Sequence, residues 1–379
     1  MKRVWGVVIL LTVYGSLYPF NFTLQDFPAD LLADFASTWN DRIIQGDFLA
    51  NIIIFIPYGL VGWYVFNYST RMRLAVILGS GFILGMGLQL LQYYLPSRYP
   101  SIIDGWSNLF GILLGCLVAW GMNYWQNARD VPFNTSLIAP ITLLLFWFGL
   151  RLMPFIPFFR WKQVEISLRP LYQNPQINPL TILSGIVAWT AVFYIFNRLF
   201  NGLRKRTLFY IAFGCFTLET LIIYNYLHLS DVIGALGGVG CWLLISRGQK
   251  TENVIFVLMV TYIVIYGLSP FKLAVVEQDF HWVPFTGFIA GSVFFNIVTF
   301  FSKFFFYGGA VWFGVQAGMR WRNVTLLIAG ITLMIELAQV YLVQHVPEIT
   351  DPLLVVLISW VLHETGKTRL NFGRIQVLT

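Results

Sequence analysis

Apolar runs close to twenty residues long recur from Val4 to Leu362 with only short polar breaks. A run of that length, wound as a helix, crosses the roughly 30 Å hydrocarbon core of a bilayer. Twelve such segments can be drawn, at about Val4–Phe20, Phe48–Asn67, Leu74–Leu95, Ile102–Trp120, Ser136–Met153, Pro179–Phe200, Leu208–Leu227, Asp231–Ile245, Val254–Pro270, Phe288–Ala317, Val324–Val343 and Asp351–Leu362. Only 11% of the 379 residues are charged, against roughly 25% in a soluble domain. The expected fold class is therefore an all-α polytopic membrane protein. The aromatic share of 18% suits many helix ends at membrane interfaces. The net charge of +7 is read as cytoplasmic Lys and Arg, not as a nucleic-acid surface.

The segments fall into a threefold pattern. YGSLYPF (Tyr14 to Phe20), FGLRLMPF (Phe148 to Phe155) and YGLSPF (Tyr266 to Phe271) end three of them alike. A polar loop and further apolar segments follow each ending, which gives three four-helix units over 1–125, 126–250 and 251–379. Units one and three match at a constant offset: Gln89 with Glu336, Gln92 with Gln339, Tyr94 with Tyr341, Pro100 with Pro347, Asp104 with Asp351. The middle unit is degenerate, keeping only Glu219, Asp231 and Gly238 in register. The recurrence also makes Val4–Phe20 a membrane helix and not a cleaved signal peptide, since a signal's ending would not be copied deep in the chain.

Lys and Arg set the orientation. Clusters such as Lys2–Arg3, Arg71–Arg73, Arg204–Arg206 and Arg320–Arg322 share one side, and the outer loops hold few. Both termini are thus expected in the cytoplasm, with the polar turns at Arg98, His228 and His345 outside. The outer loop Asn21–Asp47 carries Asp26, Asp30, Asp34, Asp41 and Asp47. It reads as a solvated loop or as a lid.

Chemistry concentrates in Gln89–Gly111, QLLQYYLPSRYPSIIDGWSNLFG. Gln89 and Gln92 share one helical face, as do Asp104, Asn108 and Gly111, and Pro96 and Pro100 bracket Arg98 between the two helices. Ionisable groups inside membrane helices are costly and point to function by default. They are Glu219, Glu336 and Lys303, with Asp104, Asp231 and Asp351 nearer the interface. Lys303 needs a carboxylate such as Glu336 or Asp351. The bland alternative is that these groups only tie helices together. Cys116, Cys215 and Cys241 make no CxxC pair, and the four histidines lack metal-ligand spacing. No metal site and no cofactor are expected.

DFLANIIIFIPYG followed by the Gln89–Gly111 stretch resembles the VanZ-like family of bacterial membrane proteins. Asn51, Phe55, Pro57 and Gly59 fit the family's first motif, and Gln92, Arg98, Asp104, Asn108 and Gly111 fit the rest. Gln89 stands where the family usually has glutamate. The third unit supplies that glutamate at Glu336 and keeps Gln339 and Asp351, but has His345 for the arginine and Val355 for the asparagine. The resemblance implies a cell-envelope role, in glycopeptide-antibiotic response or exopolysaccharide assembly, in the bacterial inner membrane.

The ligand-binding set expected is Arg98, Asp104, Asn108, Gln89, Gln92, Asn51, Glu336, Gln339, Asp351 and Lys303. Its expected ligand is a membrane lipid or lipid-linked glycan, with envelope-biosynthesis proteins as further partners and no nucleic acid. Units one and three would share one composite site, which requires Asp104 and Asp351 to face a common cavity. An intramembrane enzyme using a carboxylate is the first alternative, although no nucleophile elbow, metal-ligand set or phosphate loop is present. A transporter is the second and a passive scaffold the third. Against transport, four-helix units are parallel repeats, not inverted ones.

Overall fold

The computed structural model describes residues 1–23, 28, 30–40, 45–129, 137–173, 175–200, 204–287 and 293–367. Asp26, Asp41 and the expected helix starts at Ser136 and Phe288 lie outside them. The described residues form fourteen α-helices and no strand beyond isolated bridges. A backbone in hydrocarbon must bond to itself, so an apolar chain of this kind resolves into helices. Seven of them are long and apolar enough to cross a membrane: Phe48–Val65, Thr70–Gln92, Ile102–Tyr124, Pro179–Leu199, Thr251–Leu268, Phe295–Gln316 and Trp321–Gln339. This is a polytopic all-α membrane protein. The chain forms two compact units, which we take separately.

The first unit centres on Met1–Thr135. It holds α1 (Lys2–Leu17), α2 (Leu31–Ser37), α3 (Gln45–Val65), α4 (Thr70–Gln92) and α5 (Ile102–Arg129). Helices α3 and α5 meet backbone to backbone. A Cβ added to Gly59 would run into the Ile112 carbonyl, one at Gly111 into the Ile52 carbonyl, and one at Gly115 into the Ile56 carbonyl. Small residues let membrane helices approach this closely, and packing then replaces the hydrophobic drive that lipid cannot supply. Around the seam lie Phe55, Tyr58, Ile77, Leu88, Ile112 and Cys116, all buried. Tyr58 donates to Ser80 Oγ at 2.9 Å and so ties α3 to α4.

The second unit comprises Ser136–Gly291 and Phe295–Gly366. Its helices are α6 (Ile138–Leu152), α7 (Trp161–Tyr172), α8 (Pro179–Leu199), α9 (Lys205–Thr220), α10 (Leu229–Ile245), α11 (Thr251–Leu268), α12 (Val293–Gln316), α13 (Trp321–Gln339) and α14 (Thr350–Lys367). Helices α8 and α10 meet at Gly185 and Gly234, where a Cβ on Gly185 would stand 2.9 Å from the Gly234 Cα. The core is aromatic: Trp147, Trp189, Phe193, Phe305, Trp312 and Phe313 are buried together.

Several helices depart from their expected limits. Three stop early, α4 at Gln92, α9 at Thr220 and α13 at Gln339. In each case the carbonyls just beyond are taken by the loop after an earlier helix. Thr23 N–H donates to Tyr94 O at 2.8 Å, Phe158 N–H to Leu221 O at 2.8 Å, and Ala274 N–H to Tyr341 O at 2.8 Å. A carbonyl engaged that way is no longer held in the helical ladder. In the other direction α5 runs on to Arg129, past the expected Trp120.

Two helices lie in segments expected to be loops. Helix α2 is capped by Asp30, whose carboxylate accepts from Ala33 N–H at 3.0 Å. Helix α7 is amphipathic and buries Gln163 and Ser167 on one face.

Candidate functional site

The polar stretch Gln89–Gly111 spans the end of α4, a turn and the start of α5. A helix start leaves backbone donors without partners and a helix end leaves carbonyls without partners. In hydrocarbon each such orphan is costly, and here the motif side chains serve them. Gln89, 3% exposed, accepts from the Ser101 N–H at 3.0 Å, just ahead of α5. Gln92 donates to Ser16 O at 2.9 Å. Arg98 donates from Nη2 to Gly15 O at 3.1 Å, and from Nε and Nη2 to Tyr18 O at 3.3 and 3.2 Å. These amides and the guanidinium therefore clamp the C-terminal end of α1 to α4 and α5. A cation beside helix-terminal carbonyls is also favoured by the helix dipole.

Helix α2 and the residue that follows it also reach this end. Tyr93 donates to Asp34 Oδ2 at 2.7 Å, and Thr38 Oγ1 accepts from Ile102 N–H at 2.9 Å. Asp104 sits in the first turn of α5, where a carboxylate favours the helix start. One turn on, Asn108 is 2% exposed and stands against Gly85 of α4. Its Oδ1 has no hydrogen-bond partner among the described residues. Asn51 is half-buried on α3, beside the Ile52 carbonyl that approaches Gly111. The motif glycines Gly59 and Gly111 are the α3–α5 contact itself.

In the second unit the same chemistry is found at α13. Glu336, 3% exposed, accepts from the Glu348 N–H at 2.9 Å, ahead of α14. Gln339 donates to Gly267 O at 2.8 Å. His345 Nε2 is 2.7 Å from Ser269 O. Lys303 pairs with Asp351, and Tyr307 donates to the other Asp351 oxygen at 2.6 Å. Of the two carboxylates the sequence offers Lys303, the ion pair goes to Asp351. Glu348 is a further buried carboxylate, accepting from Gly287 N–H at 3.1 Å.

A third cluster joins Glu219 and Asp231, both candidates from the sequence, to an arginine that was not among them. Arg151, near the end of α6, forms a bidentate pair with Glu219, Nε to Oε1 at 2.5 Å and Nη2 to Oε2 at 2.8 Å. Its Nη1 donates to Asp231 Oδ1 at 3.1 Å. The signal was present: an arginine inside FGLRLMPF is as costly as Lys303 and belonged among the candidates. His228, the polar-turn residue of this unit, stands at the N-cap of α10, and its N–H donates to Asp231 Oδ2 at 3.0 Å. Asn225 is the side chain that reaches back to α6, donating to Arg151 O at 2.8 Å. Arg151, Glu219 and Asp231 line a cavity of about 270 Å³.

No group of His, Cys, Asp and Glu among the described residues could hold a metal ion. No curated protein and no solved structure matches the chain. Residues 5–124, which contain Asn51, Gly59 and the whole Gln89–Gly111 stretch, match the family model described as VanZ/LLP1. Residues 5–124 of this polytopic membrane protein thus form a VanZ-like domain.

Proposed function

We propose that this protein binds or positions a lipid-linked glycan or an anionic lipid head group at the outer leaflet of the bacterial inner membrane, serving envelope assembly or glycopeptide-antibiotic response. Its termini face the cytoplasm, as the Lys and Arg clusters favour. Twelve crossings in three four-helix units are part of the same reading. Supporting them, Gln92 and Gln339 reach equivalent helix-end carbonyls, and Phe20, Phe155 and Phe271 all take left-handed backbone after the three matching endings.

The observation that carries the ligand reading is Asn108 Oδ1, buried without a donor inside the family-matched stretch. Leaving an acceptor in that state costs about 1–3 kcal/mol. A sugar hydroxyl or head-group donor entering beside Asp104 removes that cost. Gln89 and Asp104 lie on the same two helices, Asn51 is on α3, and Arg98 adds its positive charge in the turn between α4 and α5. The corresponding polar end around Glu336, Gln339, Asp351 and Lys303 belongs to the same proposal.

The test is lipid co-purification read by native mass spectrometry on wild type, Arg98→Ala/Asp104→Ala and Asn108→Leu. The wild type is expected to carry a lipid that both variants lose. If Asn108→Leu is more stable than wild type and keeps the same lipid, the oxygen is merely unsatisfied and the proposal fails.

A further inference from the structure

We propose that the cavity at the Arg151 triad binds a primary ammonium group, supplied by a lipid head group or by a free amine. The cavity lies wholly within the second unit, lined by α6, α8, α9, α10, α11 and α12. None of its residues belongs to the Asn108 site, so the inference stands independently of the function proposed above.

Charge decides the class of ligand. Arg151 brings one positive charge, and Glu219 and Asp231 bring two negative ones. Nε, Nη1 and Nη2 of the guanidinium all donate to those carboxylates. The side chains are 20%, 9% and 14% exposed, so one negative charge is left over in a poorly solvated place, met among the described residues only by the His228 N–H on Asp231 Oδ2 and by the start of α10. Charge buried without a counter-ion in a membrane protein is costly, and a cation lowers the cost. An anion would meet a wall that already repels it.

Hydrogen bonding narrows the class further. Asn225, Ser184 and Thr220 already donate to Arg151 O, Thr181 O and Thr217 O. The hydroxyls of Thr181, Tyr226, Tyr262 and Ser302 that also line the space can accept as well as donate, and ionised carboxylates only accept. A ligand that brings donors as well as charge suits the carboxylates best, which an ammonium does and a quaternary amine does not. The volume of 270 Å³ equals about nine water molecules at about 30 Å³ each, enough for an ammonium and a short stem. Trp147, Trp189, Tyr262 and Phe306 complete the wall with rings compatible with a cation.

The experiment uses the full chain in phosphatidylcholine nanodiscs. Melting temperature is read against added ethanolamine, choline, ethylene glycol and acetate. A parallel sample in nanodiscs containing phosphatidylethanolamine, with no free amine, tests the lipid source. Ethanolamine is expected to raise the melting temperature while choline, ethylene glycol and acetate do not. A rise in the phosphatidylethanolamine sample alone assigns the lipid as source; a rise with ethanolamine alone assigns a soluble amine. Asp231→Asn removes the excess charge and should weaken the response about tenfold or more. Ser184→Leu fills the cavity without touching the triad and should abolish the response; it decides the matter if Asp231→Asn does not fold. No response to either amine source would mean that a proton neutralises the triad, and the proposal falls. It also falls if ethylene glycol matches ethanolamine, or if Ser184→Leu responds like wild type.

Discussion

Substituting Gly111 by alanine should separate two helices that now touch through their backbones. The added Cβ would fall inside the Ile52 carbonyl, which is main chain and cannot rotate away. Relief requires α3 and α5 to move apart, and the contacts at Gly59–Ile112 and Gly115–Ile56 loosen with it. Overpacking of this kind costs about 1–3 kcal/mol. The same helix provides its own control, since a Cβ on Gly121 meets nothing within 4 Å. There alanine should be neutral or stabilising by about 0.5–1 kcal/mol, the intrinsic helix preference of alanine over glycine. The two substitutions are chemically identical and should differ by roughly 1–4 kcal/mol, with opposite signs. Reversible unfolding in mixed micelles by SDS titration measures both. Equal stabilities for Gly111→Ala and Gly121→Ala would refute the close-approach reasoning.

Two further outcomes follow from the clamps. Gln89→Leu removes the acceptor for the Ser101 N–H and should lower stability by about 0.6–2 kcal/mol in the same titration. Gln89→Glu should be tolerated there, because Glu336 performs the same task for Glu348 N–H. Lys303→Met alone leaves Asp351 buried without its cation and should cost about 3–5 kcal/mol, while Lys303→Met/Asp351→Asn should recover most of it. A double-mutant cycle showing no coupling would remove the ion pair as a structural element.

Much of the helical layout was legible because hydrocarbon admits so few solutions. A run such as Phe48–Val65 or Thr251–Leu268 had to be a helix, and its length told roughly where it stopped. The early ends of α4, α9 and α13 were not legible, since they depend on carbonyls claimed by loops far away in the chain. Helices α2 and α7 were missed because short segments carrying several polar residues lack a long apolar signature. In the site, residue types announced that Gln92 and Arg98 needed partners, but not that the partners were backbone atoms of α1. Only the fold brings those together. Arg151 differs: its cost in a membrane was readable from sequence, but its two carboxylate partners lie 68 and 80 residues away and only the fold brings them to it.

The clamp on α1 also sets an order of events in synthesis. Gly15 and Arg98 are 83 residues apart, and their hydrogen bond cannot form until the later residue exists. At about 5–20 residues per second, the carbonyls of Gly15 and Tyr18 wait roughly 4–17 s for their donor. During that interval only water can serve them, so the end of the first helix has to rest at a hydrated boundary. The arginine then displaces that water and closes the bundle from the side at which its first helix stopped.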